Sequence, residues 1–278
     1  MNPKLQALYG LKFHPFRDAP TDALLCTPPI DAFCRRLEFS LADGGFAMVT
    51  GDPGSGKSAA LRILASRLQK RSDLSVGVIE RPLGRASDFY RELGEVFGVQ
   101  MPNHSRWGGF KALRSRWSEH IASSLCRPVL IIDEAQEMLA NVFTELRLLA
   151  SKELDARALL CIVFAGDARL PERLRSEDLL PLGSRIRRRL KFEPASREEL
   201  LACLDHLLDC AGAPQLMTSE LKATLAEHAA GNYRVMMNLG DELLAVAAER
   251  ELPRLDDKLY LDVFAPPAPQ ARAGSKRR

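Results

Sequence analysis

Eight consecutive residues, Gly51-Asp52-Pro53-Gly54-Ser55-Gly56-Lys57-Ser58, satisfy the spacing G-x-x-x-x-G-K-[ST] in full. Glycines at these positions let successive backbone N–H groups turn inward around phosphate oxygens, and a helix opening behind them adds the positive end of its dipole. Lys57 is placed to reach the β- and γ-phosphates of a nucleoside triphosphate, and the Ser58 hydroxyl to ligate Mg²⁺. The expected cradle is Gly51, Asp52, Pro53, Gly54, Ser55, Gly56, Lys57, Ser58 and Ala59, with ATP and Mg²⁺ as cofactors. A glycine-rich turn without function is the bland alternative. The apolar run Phe46 to Thr50 before it and the helical pattern after it are the context that argues for the nucleotide.

Seventy-six positions beyond Lys57, Val129-Leu130-Ile131-Ile132-Asp133-Glu134 reads as a buried strand ending on two carboxylates. Asp133 is placed to hold Mg²⁺ through water, and Glu134 to orient and polarise an attacking water. Two acids after a strand also suit the N-terminus of a helix. The phosphate loop upstream decides for catalysis, and the glutamate argues for hydrolysis over binding alone.

These groups need a scaffold. Strand signals lie at Gly45 to Thr50, Leu74 to Glu80, Pro128 to Asp133, Leu159 to Gly166 and Ile186 to Glu193. Helical periodicity separates them, at about Ser58 to Arg71, Ala86 to Phe97, Phe110 to Ser124, Asn141 to Glu153 and Ala168 to Leu174. Strands alternating with helices predict an α/β fold with a parallel, doubly covered sheet of five strands. After Pro194 three helical stretches follow, Ser196 to Cys210, Thr218 to His228 and Tyr233 to Glu251, the first opened by a Ser196/Glu199 capping box. The expected domains are 1–194, a nucleotide-binding α/β domain; 195–264, a small helical lid; and 265–278, a disordered basic tail lacking apolar periodicity.

Bulk properties exclude several classes. The chain has 278 residues, 46% of them hydrophobic and 27% charged, which suits a globular protein with a sizeable core. No apolar run approaches the ~18 residues of a membrane helix, and the N-terminus shows no export signal. A cytoplasmic protein without a membrane partner is expected. Six cysteines form no C-x-x-C pair and read as free thiols. Residues 196–264 carry 13 acidic and 6 basic side chains, a net of −7, against +4 for the tail and +6 for residues 1–195. This asymmetry points the first part towards a polyanion.

A GTPase would carry an N-K-x-D guanine-reading stretch, and none occurs. The segments YGLKFHPF, the phosphate loop, LIIDEAQEM, ELRLLASKELDARALLCIVFAGDARL, LGSRIRRRLKFEP and GNYRVMMNL together resemble the ExeA-like branch of AAA+ ATPases. That branch is similar to transposition-regulator ATPases of the TniB, TnsC and Mu B type, and sits near the initiator ATPases. The resemblance covers about residues 1–250. It implies the three-layer P-loop AAA+ fold and a homo-oligomer, ring or filament, with active sites completed between subunits. It also implies roles for three residues. Arg234, at the start of a helix in the second domain, resembles sensor 2, which reaches the γ-phosphate in cis; an exposed helix arginine is the alternative. Arg185, after the turn Pro181-Leu182-Gly183, stands where the arginine finger of these ATPases faces a neighbour's γ-phosphate. Asp167 falls where a neutral polar sensor 1 is usual, a departure from the pattern. Arg187, Arg188, Arg189 and Lys191 exceed what one finger requires and stay open between interface, DNA contact and the solvated face of an edge strand.

Between Val96 and Ser118 there is no acidic residue, while Arg106, Lys111, Arg114 and Arg116 stand among Trp107 and Trp117. Lys111 and Arg114 share a helix face. Contacts of these four to DNA phosphates would be salt-sensitive and largely sequence-neutral; an ordinary amphipathic helix is the alternative. The expected function is an ATP-dependent DNA-binding regulator of transposition, with double-stranded DNA and a transposase or integrase as partners. An ExeA-type module for secretion or envelope assembly is the rival. Relatives of that kind continue into a membrane span and a cell-wall-binding region, which the sequence does not contain. A helicase loader or replication initiator is the third reading, without an evident sequence-specific DNA-binding motif.

Overall fold

The structure is a computed structural model that describes residues 3–82, 84–100, 106–152 and 157–264; the expected disordered tail, 265–278, lies outside them. In chain order the elements begin with α1 (Pro3–Tyr9), α2 (Pro28–Phe39), β1 (Gly45–Thr50), α3 (Lys57–Gln69), β2 (Leu74–Ile79) and α4 (Ala86–Phe97). Then come α5 (Arg106–Ser124), β3 (Arg127–Ile132), α6 (Ala140–Ala150), β4 (Ser151–Lys152), β5 (Arg157–Ala158) and β6 (Cys161–Gly166). The short α7 (Arg169–Arg173) and α8 (Leu180–Gly183) precede β7 (Ile186–Lys191), and α9 (Arg197–Ala211), α10 (Ser219–His228), α11 (Tyr233–Glu249) and α12 (Asp257–Phe264) follow.

Two compact units divide the chain. One comprises residues 20–195 and Asn232–Arg234; the other comprises 3–19, 196–231 and 235–264 of the described residues.

The first unit is built on a five-stranded parallel sheet in the order β2-β3-β6-β1-β7. The central strands β1, β3 and β6 are near-continuous apolar runs because both of their faces are covered. Alternation sorts their side chains. Phe46, Met48, Leu130, Ile132, Ile162 and Phe164 face a cluster that includes Phe89, Leu93, Leu113, Trp117, Phe143 and Leu146 of α4, α5 and α6. Ala47, Val49, Val129, Ile131, Val163 and Ala165 face the other way, onto Phe33, Leu37, Leu61, Leu64 and Leu68 of α2 and α3. Burying each large aliphatic or aromatic side chain contributes roughly 1.5–3 kcal/mol. All five expected strands are present; α5 starts at Arg106, four residues before the predicted Phe110.

β7 is an edge strand with a register shift opposite Phe46 and Ala47, which pair with Ile186 and Arg188. The extra residue reverses the alternation within one strand, so Ile186 packs on the first cluster and Leu190 on the second. Arg187, Arg189 and Lys191 are exposed, and Arg188 Nε donates to Arg36 O at the end of α2, 3.0 Å. Charged side chains along an open edge oppose pairing with another strand.

The second unit is helical. Its α9 opens with the expected capping box: Ser196 Oγ accepts from Glu199 N–H and the Glu199 carboxylate accepts from Ser196 N–H, worth about 1 kcal/mol. Residues 3–19 group with this unit, whereas the sequence placed them in the α/β domain. Tyr9 Oη donates to Leu252 O at 2.9 Å and Lys12 N–H to Ala211 O at 3.0 Å. Phe16 lies so close to Gly240 that a Cβ there would come within 2.8 Å of the ring. Leu5, Leu11 and Phe16 are buried. Among the described residues no helix is long and apolar enough to cross a membrane.

Candidate nucleotide-hydrolysis site

The loops after β1, β3 and β6, three neighbours in the sheet, bring residues of the expected site to one edge. That edge, beyond the carboxyl ends of parallel strands, is where such sheets bind ligands. The phosphate loop leaves β1 and is tied across to β6 by Gly51 N–H donating to Gly166 O, 3.3 Å. Gly54 adopts φ +85°, and a side chain there would collide with the amide of Asn232. Asn232 Nδ2 donates to Pro53 O at 3.0 Å, while its Oδ1 accepts from Arg234 N–H at 3.0 Å, capping the first turn of α11. Asn232 therefore joins Arg234 to the phosphate loop. In the sequence Asn232 stands out only as part of the segment GNYRVMMNL.

Lys57 is buried at the start of α3, and its ammonium donates to Gly51 O at 2.7 Å and Asp52 O at 3.0 Å. Burial holds its pKa below the ordinary lysine range, against the opposing pull of Glu134, Asp133 and Asp167, while Arg234 adds to the lowering. The charge is thus held by two carbonyl dipoles of the loop. The Ser55 hydroxyl is buried with no hydrogen-bond partner among the described residues. An unsatisfied hydroxyl and a poorly solvated ammonium both gain from an anion, so the residues fit a polyphosphate.

Ser58 Oγ donates to Asp133 Oδ2 at 3.2 Å, and Asp133 Oδ1 accepts from Glu134 N–H at 2.8 Å. Two hard oxygen donors side by side suit Mg²⁺, which takes one or two protein ligands and completes its shell with phosphate oxygens and water. Glu134 is exposed beside them, with its backbone in the left-handed region at φ +49°. A non-glycine residue held there is uncommon and marks an over-determined turn.

Asp167 follows β6 as expected, but its carboxylate is turned onto α7. It accepts from Arg169 N–H and Arg169 Nε, both at 2.9 Å, and these bonds keep its pKa low against the opposing effect of burial. Gln136, which the sequence reading passed over, lies between the two strand ends.

Arg185 is at the opposite edge. It precedes Ile186, which pairs with Phe46 at the start of β1, whereas the phosphate loop follows Thr50 at its end. Five residue steps of parallel strand separate the two levels by ~17 Å. Arg185 Nη1 donates there to Ser151 Oγ at 3.3 Å.

The four bases expected to meet DNA separate into two kinds. Arg106 pairs with the buried Glu145 carboxylate at 2.7 Å, which also accepts from Tyr90 Oη at 2.7 Å. Arg114 donates through one nitrogen to the carbonyls of Leu148 (2.9 Å), Leu149 (3.3 Å) and Ser151 at the end of α6. Lys111 and Arg116 are exposed, and Lys111 Nζ lies 5.1 Å from the ring centroid of Trp107, itself 62% exposed.

Residues 41–174, which hold all of these groups except Arg185, Asn232 and Arg234, match a family model described as an AAA domain. The chain is 29% identical over 248 residues to general secretion pathway protein A of Aeromonas hydrophila, covering 87% of this chain and 44% of that protein. It thus spans less than half the length of that curated relative. Among solved structures it is similar to the Aeropyrum pernix ORC2 protein in its ADPNP-ADP complexes, with TM-score 0.73, 13% identity, and 92% of this chain and 71% of that one covered. It is also similar to the Aeropyrum pernix ORC1 protein in complex with DNA, with TM-score 0.68, 18% identity, and 89% and 67% covered. At such identities the structural matches establish the fold, the α/β P-loop AAA+ fold.

Proposed function

From the match of residues 41–174 to an AAA domain model and the likeness to general secretion pathway protein A, we propose an Mg²⁺-dependent ATP hydrolase that binds double-stranded DNA as a homo-oligomer and regulates transposition. The observation that carries the hydrolase is the meeting of Lys57, Ser58, Asp133 and Glu134 at one sheet edge. Lys57 neutralises phosphate charge, Ser58 and Asp133 supply metal oxygens, and Glu134 is the base that takes a proton from water. Arg234, held at the loop through Asn232, adds positive charge in cis. Mg²⁺ held by Ser58 and Asp133 would supply positive charge to offset that of the phosphates.

DNA binding is supported by the exposed Lys111, Arg116 and Trp107, by the positive balance of residues 1–195, and by the DNA-bound relative of the same fold. Recruitment or activation of a transposase rests on the likeness of the quoted segments to transposition regulators. A second reading, an ATPase serving secretion machinery, is favoured by the 29% identity to the Aeromonas protein.

Titration of duplex DNA by the wild type with ATP, a non-hydrolysable analogue and ADP, at several salt concentrations, separates them. The transposition reading expects cooperative binding that is tighter with ATP and falls steeply with salt. Absence of binding in the ATP state at low salt leaves the secretion reading. For the chemistry, Lys57→Ala is expected to lose nucleotide binding, and Glu134→Gln to bind ATP yet hydrolyse it at least ~100-fold more slowly. Unchanged turnover by Glu134→Gln removes it from the base role.

A further inference from the structure

Gln136 is a polar side chain in a place that has no solvent to satisfy it: it is 5% exposed, on the single turn Ala135–Glu137 after β3. Each of its groups is engaged. Nε2 donates to Glu134 Oε2, Oε1 accepts from Asp167 N–H at 3.3 Å, and its backbone carbonyl accepts from Arg173 Nη1 of α7. Gly166 makes room for it, since a Cβ at that position would collide with Gln136 Oε1. The turn is held from outside as well, because Arg169 Nη2 pairs with Glu137 at 2.7 Å and with Asp167 at 2.8 Å. The neutral polar group between the ends of β3 and β6 is therefore the Gln136 amide, while the Asp167 carboxylate is spent on Arg169.

We infer that Gln136 is a positioning residue for ATP hydrolysis, fixing Glu134 through one carboxylate oxygen and linking it to the end of β6 through the Asp167 N–H. This rests on the hydrolase reading above. An exposed glutamate has several accessible rotamers, and a base that must meet one water in one direction loses rate when it wanders. A hydrogen bond to an ionised carboxylate is among the stronger kinds. With Oε2 occupied, Oε1 is left for the proton. Only an amide does both tasks at once, giving a donor to the carboxylate and an acceptor to the backbone N–H. A glutamate at 136 would keep the acceptor but set a second anion against Glu134. A methionine would keep length and apolar bulk and lose both bonds.

Gln136→Met and Gln136→Glu test this by two independent routes. In the nucleotide-free protein, hydrogen exchange of the Asp167 amide is expected to quicken in Gln136→Met and to stay near wild type in Gln136→Glu. With ATP, both variants are expected to lose ~10–100-fold in kcat while the Kd for ATP and for ADP stays within about threefold of wild type. A structural role would instead lower nucleotide affinity and melting temperature along with kcat, and that result overturns the inference. So does wild-type kcat in both variants, or an Asp167 amide that exchanges alike in all three proteins. A wild type that binds ATP without hydrolysing it overturns the hydrolase reading and this role together; a hydrolysing wild type with unaffected variants overturns this role alone.

Discussion

His14 illustrates how far a single residue's environment can depart from its composition. Partly buried, it has its Nε2 3.3 Å from Asp241 Oδ1 on α11, and Arg17 holds the same carboxylate oxygen at 2.6 Å. Burial pushes the His14 pKa below the usual histidine range; Asp241 and Asp18 oppose this, and Arg17 adds to it. The ring then stays neutral beside the carboxylate, with Nδ1 accepting from Phe16 N–H at 3.3 Å, and leaves the charge to Arg17. As pH falls below the ordinary value of ~6.5, the unfolded chain takes up a proton that the folded chain resists. The contribution of His14 is thus complete above that pH and is lost as pH falls through the lowered value. The urea midpoint is expected to drop between pH 7.5 and 5, and the drop to be shallower in His14→Gln. Parallel curves for the two proteins would exclude His14 as a source.

At the scale of the element, α5 shows how one helix divides its cations. Leu113 and Trp117 anchor it in the core. Arg106 and Arg114, on either side, are committed to Glu145 and to the last carbonyls of α6. Those carbonyls are the ones a helix end leaves without intrahelical donors. Arg114→Ala is expected to cost ~1–3 kcal/mol in urea unfolding, since it strips charge-assisted bonds from several acceptors at once. Lys111→Ala with Arg116→Ala is expected to leave stability within about 0.5 kcal/mol while weakening DNA binding and flattening its salt dependence. An intact DNA affinity in that pair, or a loss confined to Arg114→Ala, would move the DNA surface elsewhere.

Across the whole α/β unit, the parallel sheet assigns the two groups of proposed site residues to opposite edges. Glu134 and the phosphate loop follow strand ends, and Arg185 precedes a strand start. An arginine some 17 Å away along a strand has no access to the site of its own unit. If it acts in hydrolysis, it acts on a second copy of the chain. Arg185→Ala is expected to bind ATP normally and to hydrolyse it at least ~1000-fold more slowly. Mixing it with Lys57→Ala is expected to restore part of the activity, because the ATP-binding partner receives an intact arginine. Absence of rescue in mixtures shown by cross-linking to contain both variants would exclude action in trans.

Legible in the sequence were the glycine-rich loop 51–58, the two carboxylates after β3, the five strands and the opening of α9. Each is local: a glycine spacing, an apolar run, or a capping pair three residues apart carries its own physical cause. Its resemblance to a known family also brought Arg185 and Arg234 into view. The remaining assignments depend on residues far apart in the chain. Arg106 and Arg114 look like free bases in a stretch without acids, because Glu145 and the carbonyls of α6 lie more than thirty positions away. Asp167 looks like a group for the phosphates until Arg169 turns it aside. Gln136 and Asn232 carry no signal beyond a polar side chain and a turn. The reversal of facing within β7 needed the bulge opposite β1, and the placing of residues 3–19 with the helical unit needed Ala211, Gly240 and Leu252. Periodicity reports which side of an element is buried, because that is set by neighbours within one or two turns. It does not report which distant acceptor a buried donor meets, because that pairing is chosen only when the sheet brings its strand ends together.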